Sequence, residues 1–238
     1  MKKINKILII IQRANGDVLL SHSLITSLFN NFNQPQIDLL VNDDTIAIAK
    51  LLPNINFIHT FSYKDKREKH WRQEKKIIQK IFRQYDLSIN LTASDRSVIY
   101  SILAGKKSIS AIEKKPQKSW WKKIFLTYFY YFDTDKHILL NNIEPLSLLN
   151  INQELNNNFP EVSEHAINKV KRLLEIKKIN KFIIFHPSAQ YDFKIYPKHL
   201  RDKLLIELNT LEIPIVITGS KNKLCLLYTS DAADDSLR

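Results

Sequence analysis

The sequence predicts an α/β fold in which a parallel β-sheet is covered by helices on both faces. Short apolar runs rich in β-branched residues alternate with segments whose apolar residues recur every three or four positions. The first run, residues 7–11, is too short to span a membrane and is typical of a strand buried on both faces. With 238 residues, of which 44% are hydrophobic, the chain can form one large or two modest domains.

The first part of the chain contains five strand patterns and the helices that connect them. A polar loop and the pair Gly16-Asp17 follow the first strand, and helical periodicity comes next. Pro53-Asn54 marks a turn, and Gly105 is predicted to end the fourth helix as its C-cap. The predicted strands are residues 7–11, 36–41, 56–60, 86–91 and 107–111, and the predicted helices are residues 18–28, 43–52, 68–85 and 94–104.

A second series of strand, loop, helix and strand begins near residue 160, after a link that is predicted to hold one short helix. Its predicted elements are a helix over 163–176 capped by Ser163, a strand over 181–185, a helix over 198–211 and a strand over 213–218. We therefore predict two doubly wound, Rossmann-like domains, residues 1–159 and 160–224. The second is expected to be incomplete, because domains of this kind usually have about 100–150 residues.

Residues 225–238, CLLYTSDAADDSLR, do not continue this pattern. They resemble a sequencing adapter translated in one reading frame, so we expect a non-native tail; a genuine divergent tail is the alternative. Cys225 lies in this segment and is the one cysteine of the chain. A single cysteine excludes an internal disulfide and a zinc site built on cysteines.

The formal net charge of +12 favours anionic partners such as acidic lipid surfaces, phosphorylated substrates or nucleic acid. A lysine-rich composition on a solvated surface explains part of the same excess. No sequence pattern of a nucleic-acid reader is present, so we expect no nucleic-acid partner. The chain leads directly into a strand rather than a signal peptide, and no apolar run reaches the length of a spanning helix, so we expect a bacterial cytoplasmic location.

Gly16 and Asp17 stand where the first strand turns into its helix, at the edge of the sheet where ligands bind in such folds. A glycine there can adopt positive φ and lets a ligand approach the backbone. Asp17 has two interpretations. It can be a helix N-cap, or it can be a catalytic carboxylate that takes a proton from an attacking hydroxyl.

The segment 114–132, KKPQKSWWKKIFLTYFYYF, combines lysines, two tryptophans and an aromatic run. One interpretation is an interfacial patch, with lysine ammonium groups near lipid phosphates and aromatic rings among the headgroups. The other is a helix that packs aromatic side chains against its own domain, namely Phe125, Tyr128, Phe129 and Phe132.

Three motifs resemble family 9 glycosyltransferases, the lipopolysaccharide heptosyltransferase family. They are RANGDVLLSHSLITSL at 13–28, YDLSINL at 85–91 and HPSA at 186–189, which is similar to the family's His-Pro-Gly-Ala turn. The resemblance extends in the same order over residues 6–224. It implies a GT-B fold, in which two Rossmann-like domains enclose the reacting groups.

The resemblance also implies an activity. A heptose or related sugar would pass from a nucleotide diphosphate sugar such as ADP-heptose to the lipopolysaccharide core, with inversion and without a metal or other cofactor. The acceptor is a lipid of the inner membrane, so a peripheral contact with the inner face of that membrane is expected.

The acceptor-side residues that match the family motif are Asp17, Arg13 and Gly16. Asp17 takes the position of the catalytic base, and the resemblance favours that role over the N-cap. Arg13 is a candidate for binding an acceptor phosphate, although it could equally pair with a surface carboxylate.

The donor-side residues implied by the resemblance are Ser188, Lys194, Thr218 and Gly219. Lys194 would neutralise the leaving diphosphate, unless it is simply one exposed lysine among many. Ser188 replaces a family glycine and could still contact a phosphate, while His186 is expected to fix the turn. Thr218-Gly219 resembles the turn that binds the nucleoside, but no acidic residue follows it near position 223.

The family's second donor motif, an Asp-Thr/Ser-Gly loop followed by a histidine, is absent from the sequence, so the chain as written is expected to be inactive. Two other functions remain open. A non-catalytic basic domain that binds anionic lipid or a lipopolysaccharide precursor is the first, and a nucleic-acid-binding module suggested by charge alone is the second.

Overall fold

The computed structural model describes residues 4–65, 71–114, 116–152, 162–189 and 192–219. The chain divides into two compact units, residues 1–161 and 162–238, which are described separately below. The proposed tail at 225–238 with Cys225 and the position near 223 lie outside the described residues. None of the described helices is long and apolar enough to cross a membrane.

The first unit contains a six-stranded sheet in which every pair of neighbours is parallel, as the sequence predicted. The strand order is β3-β2-β1-β4-β5-β6, so the direction of winding reverses between β1 and β4. The strands are β1 (Lys6–Ile11), β2 (Gln36–Asn42), β3 (Ile55–Phe61), β4 (Tyr85–Asn90), β5 (Gly105–Ile112) and β6 (Tyr128–Tyr131).

Helices cover both faces of this sheet, because successive side chains of a central strand point to opposite faces. Ile7, Ile9 and Ile11 belong to the larger core, while Leu8 and Ile10 belong to a second core on the other face. The described helices of this unit are α1 (Asn15–Leu19), α2 (His22–Asn31), α3 (Ile46–Ala49), α4 (Trp71–Ile81), α5 (Asp95–Ala104), α6 (Pro116–Phe125) and α7 (Ile138–Leu148).

Gly105 follows α5 in an extended conformation, with φ −96° and ψ 149°, and starts β5 at once. The glycine is needed for close packing rather than for a left-handed cap. A Cβ at this position would overlap the carbonyl oxygen of Lys107 and would lie 2.6 Å from the Ser88 hydroxyl.

The segment 114–132 is a helix followed by a strand, so the interpretation as one packed helix is wrong beyond Phe125. Residues 128–131 pair with β5 as the sixth strand, and Phe129 and Phe132 are partly buried. Phe125 and Tyr128 are exposed rather than packed. Lys122 is buried beside Asp95 at 2.6 Å and Glu113 at 3.7 Å, so its ammonium group cannot reach a lipid surface.

The second unit contains one described pair of parallel strands, β7 (Ile183–Phe185) and β8 (Ile215–Ile217), with helices α8 (Glu164–Ile176) and α9 (Lys198–Asn209). The Ser163 hydroxyl accepts a hydrogen bond from the Ala166 backbone N–H at 3.3 Å, which confirms the predicted cap. No residue of α8 is buried.

Candidate functional site

The loop after β1 lies at the point where the winding of the first sheet reverses. In open α/β sheets this is where neighbouring loops leave a crevice at the carboxyl ends of the strands. The backbone N–H of Gln12 donates to the Thr92 hydroxyl at 3.0 Å, which joins the loops after β1 and β4. Residues 12–17 therefore lie at the position in the fold that is best suited to a ligand.

Asp17 is the third residue of α1, and Ala14 is the N-cap of that helix, without a side-chain cap bond. The N-cap interpretation of Asp17 is therefore wrong. The single helix predicted over 18–28 is also wrong, because α1 begins at Asn15 and α2 starts separately at His22. An acidic side chain in the first turn of α1 is favoured by the partial positive charge of the helix N-terminus.

Gly16 has a helical conformation and not the positive φ that the sequence suggested. A Cβ built on this residue would have no atom within 4 Å outside its own helix and neighbours. The space beside the Gly16 backbone is therefore open to a ligand, which is what the acceptor-binding prediction requires.

Arg13 pairs with Asp17. Its Nε donates to Asp17 Oδ2 at 2.8 Å, and its guanidinium carbon lies 4.5 Å from the centre of the Phe132 ring. Among the described residues, nothing forms a hydrogen bond with the other oxygen, Asp17 Oδ1. One carboxylate oxygen is thus held by a fixed cation while the other can accept a proton from a bound hydroxyl.

Two amide side chains hold the backbone around this pair. The Nδ2 of Asn142, a buried residue of α7, donates to the Asp17 carbonyl at 3.1 Å. Asn42, at the end of β2, donates to the Arg13 carbonyl at 3.4 Å. The loop that carries Arg13 and Asp17 is therefore fixed by elements from two other parts of the unit.

Arg96 is a further cation at this edge that the sequence prediction did not include. It lies over the Phe61 ring at 3.8 Å, donates to the Tyr63 hydroxyl at 3.1 Å and donates through Nε to Gln12 Oε1 at 3.4 Å. No carboxylate lies within 4 Å of its guanidinium among the described residues. The feature of the sequence that could have identified Arg96 is its position at the start of the helix that follows β4.

Hydrogen bonds of the Asn90 side chain fix the loop before Arg96. The Asn90 Nδ2 group donates to the Thr92 carbonyl at 2.7 Å and to the Ser110 hydroxyl at 2.8 Å, and Asn90 Oδ1 accepts from the Thr92 backbone N–H at 3.1 Å. The family-like strand motif at 85–91 thus supplies the residue that holds this end of β4.

In the second unit the structure brings together Ser188, Thr218 and Gly219 around His186, at the carboxyl ends of β7 and β8. His186 Nδ1 lies 2.8 Å from the Thr218 hydroxyl, and Nε2 lies 3.1 Å from the Ser188 hydroxyl. A Cβ on Gly219 would lie 3.5 Å from the same Ser188 hydroxyl. His186 therefore connects the two turns, in keeping with the structural role predicted for it.

Lys194 lies in the short 3₁₀ turn Asp192–Lys194, where its ammonium nitrogen is 5.8 Å from the centre of the Phe193 ring. Its role toward a diphosphate stays a prediction. Within the described residues, no group of three histidine, cysteine, aspartate or glutamate side chains is placed to hold a metal ion.

A separate polar cluster lies inside the first sheet, away from the carboxyl edge. The Tyr85 hydroxyl donates to buried Asp38 at 2.8 Å and lies 2.9 Å from His59 Nε2. Burial lowers the pKa of His59, although the Asp38 carboxylate opposes the shift. Burial and the bond to Asp38 raise the pKa of Tyr85, so the phenol stays protonated and donates.

The first unit is a doubly wound α/β fold with a crevice at the reversal point of its sheet. Comparisons with known proteins show what the chain is similar to. Lipopolysaccharide heptosyltransferase 3 of Escherichia coli strain K12 is 27% identical over 212 residues, covering 87% of this chain and 60% of that protein. A second lipopolysaccharide heptosyltransferase 3, also from Escherichia coli, is 24% identical over 217 residues, covering 89% of this chain and 63% of that protein. The chain thus spans about three fifths of the length of these curated relatives. No protein-family model matches it.

Solved structures agree on the fold. A glycosyltransferase family 9 structure from Veillonella parvula DSM 2008 superposes with a TM-score of 0.77 at 15% identity, covering 95% of this chain and 67% of that chain. The structure of E. coli heptosyltransferase WaaC with ADP superposes with a TM-score of 0.70 at 15% identity, covering 95% of this chain and 72% of that chain. The predicted resemblance is confirmed, and the chain is a heptosyltransferase-like protein similar to glycosyltransferase family 9.

Proposed function

We propose that this chain is a glycosyltransferase of the GT-B type, which moves a heptose or related sugar from a nucleotide diphosphate sugar to the lipopolysaccharide core. The observation that carries the proposal is the Asp17 carboxylate at the reversal point of the sheet, in a chain that resembles heptosyltransferases over 87% of its length. ADP-heptose is the proposed donor, and no metal or other cofactor takes part. The protein works in the cytoplasm.

The proposed reaction is a single displacement that inverts the sugar. The acceptor hydroxyl oxygen forms a bond to the anomeric carbon while the bond from that carbon to the diphosphate breaks. Asp17 Oδ1 takes the hydroxyl proton, and the diphosphate leaves with the electron pair. Arg13, bonded to Oδ2, keeps the carboxylate in one orientation and leaves Oδ1 without a hydrogen-bond partner among the described residues.

The donor side of the proposal uses the cluster in the second unit. Of the Ser188 and Thr218 hydroxyls, the one that accepts the His186 ring N–H can donate its own proton to a phosphate oxygen, and Gly219 leaves backbone space beside them. Lys194 would neutralise charge that builds up on the leaving group. In this proposal residues 1–159 form the acceptor domain and residues 160–224 form an incomplete donor domain.

The test is transfer of labelled heptose from ADP-heptose to a heptose-deficient lipopolysaccharide acceptor by the full chain, because measurable transfer would contradict the inactivity that the absent second donor motif predicts. We expect Asp17→Asn to slow transfer by about 10²–10⁴-fold, because an amide cannot take the proton. Glu175→Gln is the control, since Glu175 is an exposed carboxylate on α8. Equal rates for the Asp17 variant and the wild type would overturn the assignment of the base.

No transfer by correctly folded wild-type chain would overturn the enzymatic proposal for this polypeptide and favour a second candidate, a non-catalytic domain that binds anionic lipid. An exposed apolar surface on α6 favours that candidate. Trp120, Ile124 and Phe125 are exposed on the same helix as exposed Lys123, a combination suited to the headgroup region of an anionic bilayer. The same surface would also hold an active transferase at the inner face of the membrane.

Flotation with vesicles tests this surface. We expect binding to vesicles that contain phosphatidylglycerol, weaker binding to pure phosphatidylcholine, and several-fold weaker binding by Ile124→Asp. Ile176→Asp in α8 is the control, because Ile124 and Ile176 are both 67% exposed. Equal vesicle binding by the wild type and Ile124→Asp would show that α6 does not contact the membrane.

A further inference from the structure

A groove of about 440 Å³ lies between helix α4 and the outermost strand of the first sheet, β3. Residues 57–60 of β3 all line this groove, although successive side chains of a strand point to opposite faces of a sheet. The groove therefore follows the edge of the strand rather than one face of the sheet. The opposite wall is formed by residues of α4 between 72 and 80.

The outer edge of β3 is open to pairing. β3 pairs with β2 on one side and is the last strand of the sheet on the other. In the described parts of the chain, β2 alone supplies backbone partners for residues 57–60. The strand, INFIHTF, also contains no proline, lysine or arginine that would block its edge. Its outer N–H and C=O groups can therefore pair with a further extended chain.

Three cations of α4 line the groove, namely Arg72, Lys76 and Lys80, and all three side chains are exposed. No carboxylate lies within 4 Å of their nitrogens among the residues that the structure describes. Asp65 is the one described carboxylate at the groove. Positive charge is thus in excess along the open edge, which favours an anionic partner.

The spacing of these cations matches the repeat of an extended chain. Arg72, Lys76 and Lys80 follow each other at intervals of four residues, which is about 6 Å along a helix axis. Alternate residues of a strand point to the same face and lie about 6.6–6.8 Å apart. A strand laid along β3 can therefore present one carboxylate to each cation if every second residue is acidic.

The same cations select against other strands. Lysine and arginine beside an edge repel a basic strand, and two copies of this edge would bring identical cations together. Main-chain pairing with β3 would supply affinity for any extended chain, whereas α4 restricts the choice to an acidic one. The edge is thus suited to an acidic partner rather than to a second copy of this chain.

We propose that the outer edge of β3 binds an extended acidic segment of another protein as a seventh strand. The backbone of the segment pairs with residues 57–60, and glutamate or aspartate at alternate positions pairs with Arg72, Lys76 and Lys80. Neither Arg13 nor Asp17 lines this groove, so the inference does not depend on the proposed transfer reaction.

The test measures binding of labelled hexapeptides to the full chain by fluorescence anisotropy at neutral pH and low ionic strength. The probe is acetyl-Glu-Val-Glu-Val-Glu-Val-amide, and the charge control has lysine in place of each glutamate. We expect the acidic peptide to bind more than about tenfold more tightly, because it forms three ion pairs where the control meets three like charges. Equal binding of the two peptides would overturn the role of charge.

Two methylated forms of the acidic peptide test the strand pairing. One carries methyl groups on the three valine backbone nitrogens, and the other carries them on the three glutamate backbone nitrogens. Backbone groups of a strand alternate in direction, so only one of these sets can donate to β3. We expect one methylated peptide to bind at least about tenfold more weakly and the other to bind as the unmodified peptide does. Full binding by both would overturn strand addition.

Lys76→Glu should weaken binding of the acidic peptide by about tenfold, because it replaces an attraction with a repulsion. Lys75→Glu is the matched control, since Lys75 is the neighbouring exposed lysine of α4 and does not line the groove. Both substitutions are at exposed positions, so both variants are expected to fold. Equal affinities of the two variants for the peptide would overturn the assignment of the groove.

A short single-stranded DNA serves as the competing polyanion. If the DNA binds more tightly than the acidic peptide and Lys76→Glu weakens its binding, the groove is a nucleic-acid site and the proposal is wrong. Failure of the wild type to bind the acidic peptide would also overturn it. None of these measurements uses a sugar donor or acceptor, so their outcome is separate from that of the transferase test.

Discussion

Strands β1 and β7 are both apolar, and each is followed by a polar turn and then a helix, but they are buried to very different extents. From Ile7 onward, every residue of β1 is fully buried. In β7, Ile184 is 63% exposed, and neither of its neighbours in the strand is buried.

The difference arises from what surrounds each strand. β1 has a partner on each side and helices on both faces, whereas β7 pairs with β8 alone among the described residues. The described helices of the second unit also leave much of their apolar surface exposed, and α8 has no buried residue. An apolar run therefore predicts a strand, but the number of neighbouring elements decides how much that strand stabilises the fold.

The largest expected effect is on the free energy of unfolding, when an isoleucine of β1 and one of β7 are each replaced by alanine. Ile9→Ala should lower the free energy of unfolding by about 2–5 kcal/mol, because it leaves a cavity in a closely packed core. Ile184→Ala should change it by about 0.5 kcal/mol or less. Urea unfolding followed by circular dichroism measures both. Similar losses for the two variants would mean that β7 is as well covered as β1.

A smaller effect on stability is expected from the polar cluster of Asp38, His59 and Tyr85 in the first unit. The folded pKa of His59 is lowered by burial, whereas the unfolded chain has the ordinary value of about 6.5. As the pH falls through 6.5, the unfolded state takes up the proton first, so stability decreases until the folded pKa is passed. His59→Gln should therefore have a flatter stability profile over this range. Parallel profiles for variant and wild type, measured by urea midpoints, would contradict the prediction.

The sequence predicted β1 to β5 and the parallel sheet because each strand has its own apolar run between polar turns. β6 was missed because its aromatic residues continue a helical spacing from α6. Its strand conformation comes from pairing with β5, in which Ile109 lies opposite Tyr128. Such pairing depends on residues far apart in the chain and leaves no periodic signal in a strand of four residues.

The candidate site was predictable where its residues are close in sequence. Arg13 and Asp17 are four positions apart, which is a spacing that brings side chains together at a helix. The contact of Arg96 with Gln12 joins residues 84 positions apart, and the support that Asn142 gives to Asp17 spans 125. These contacts follow from the order of strands in the sheet, which a motif does not specify.

The smallest expected effect on stability concerns Gly16, which is helical and has open space around it. Gly16→Ala should raise the free energy of unfolding by about 0.4–1 kcal/mol, since alanine restricts the unfolded chain and favours a helix. Gly105→Ala is the contrasting control and should destabilise by about 1–3 kcal/mol, because its Cβ meets backbone atoms. If the acceptor approaches the Gly16 backbone, the stabilised Gly16→Ala chain should nevertheless transfer heptose more slowly than the wild type. A variant that gains stability and keeps its full transfer rate would show that the open space at Gly16 is not used by the acceptor.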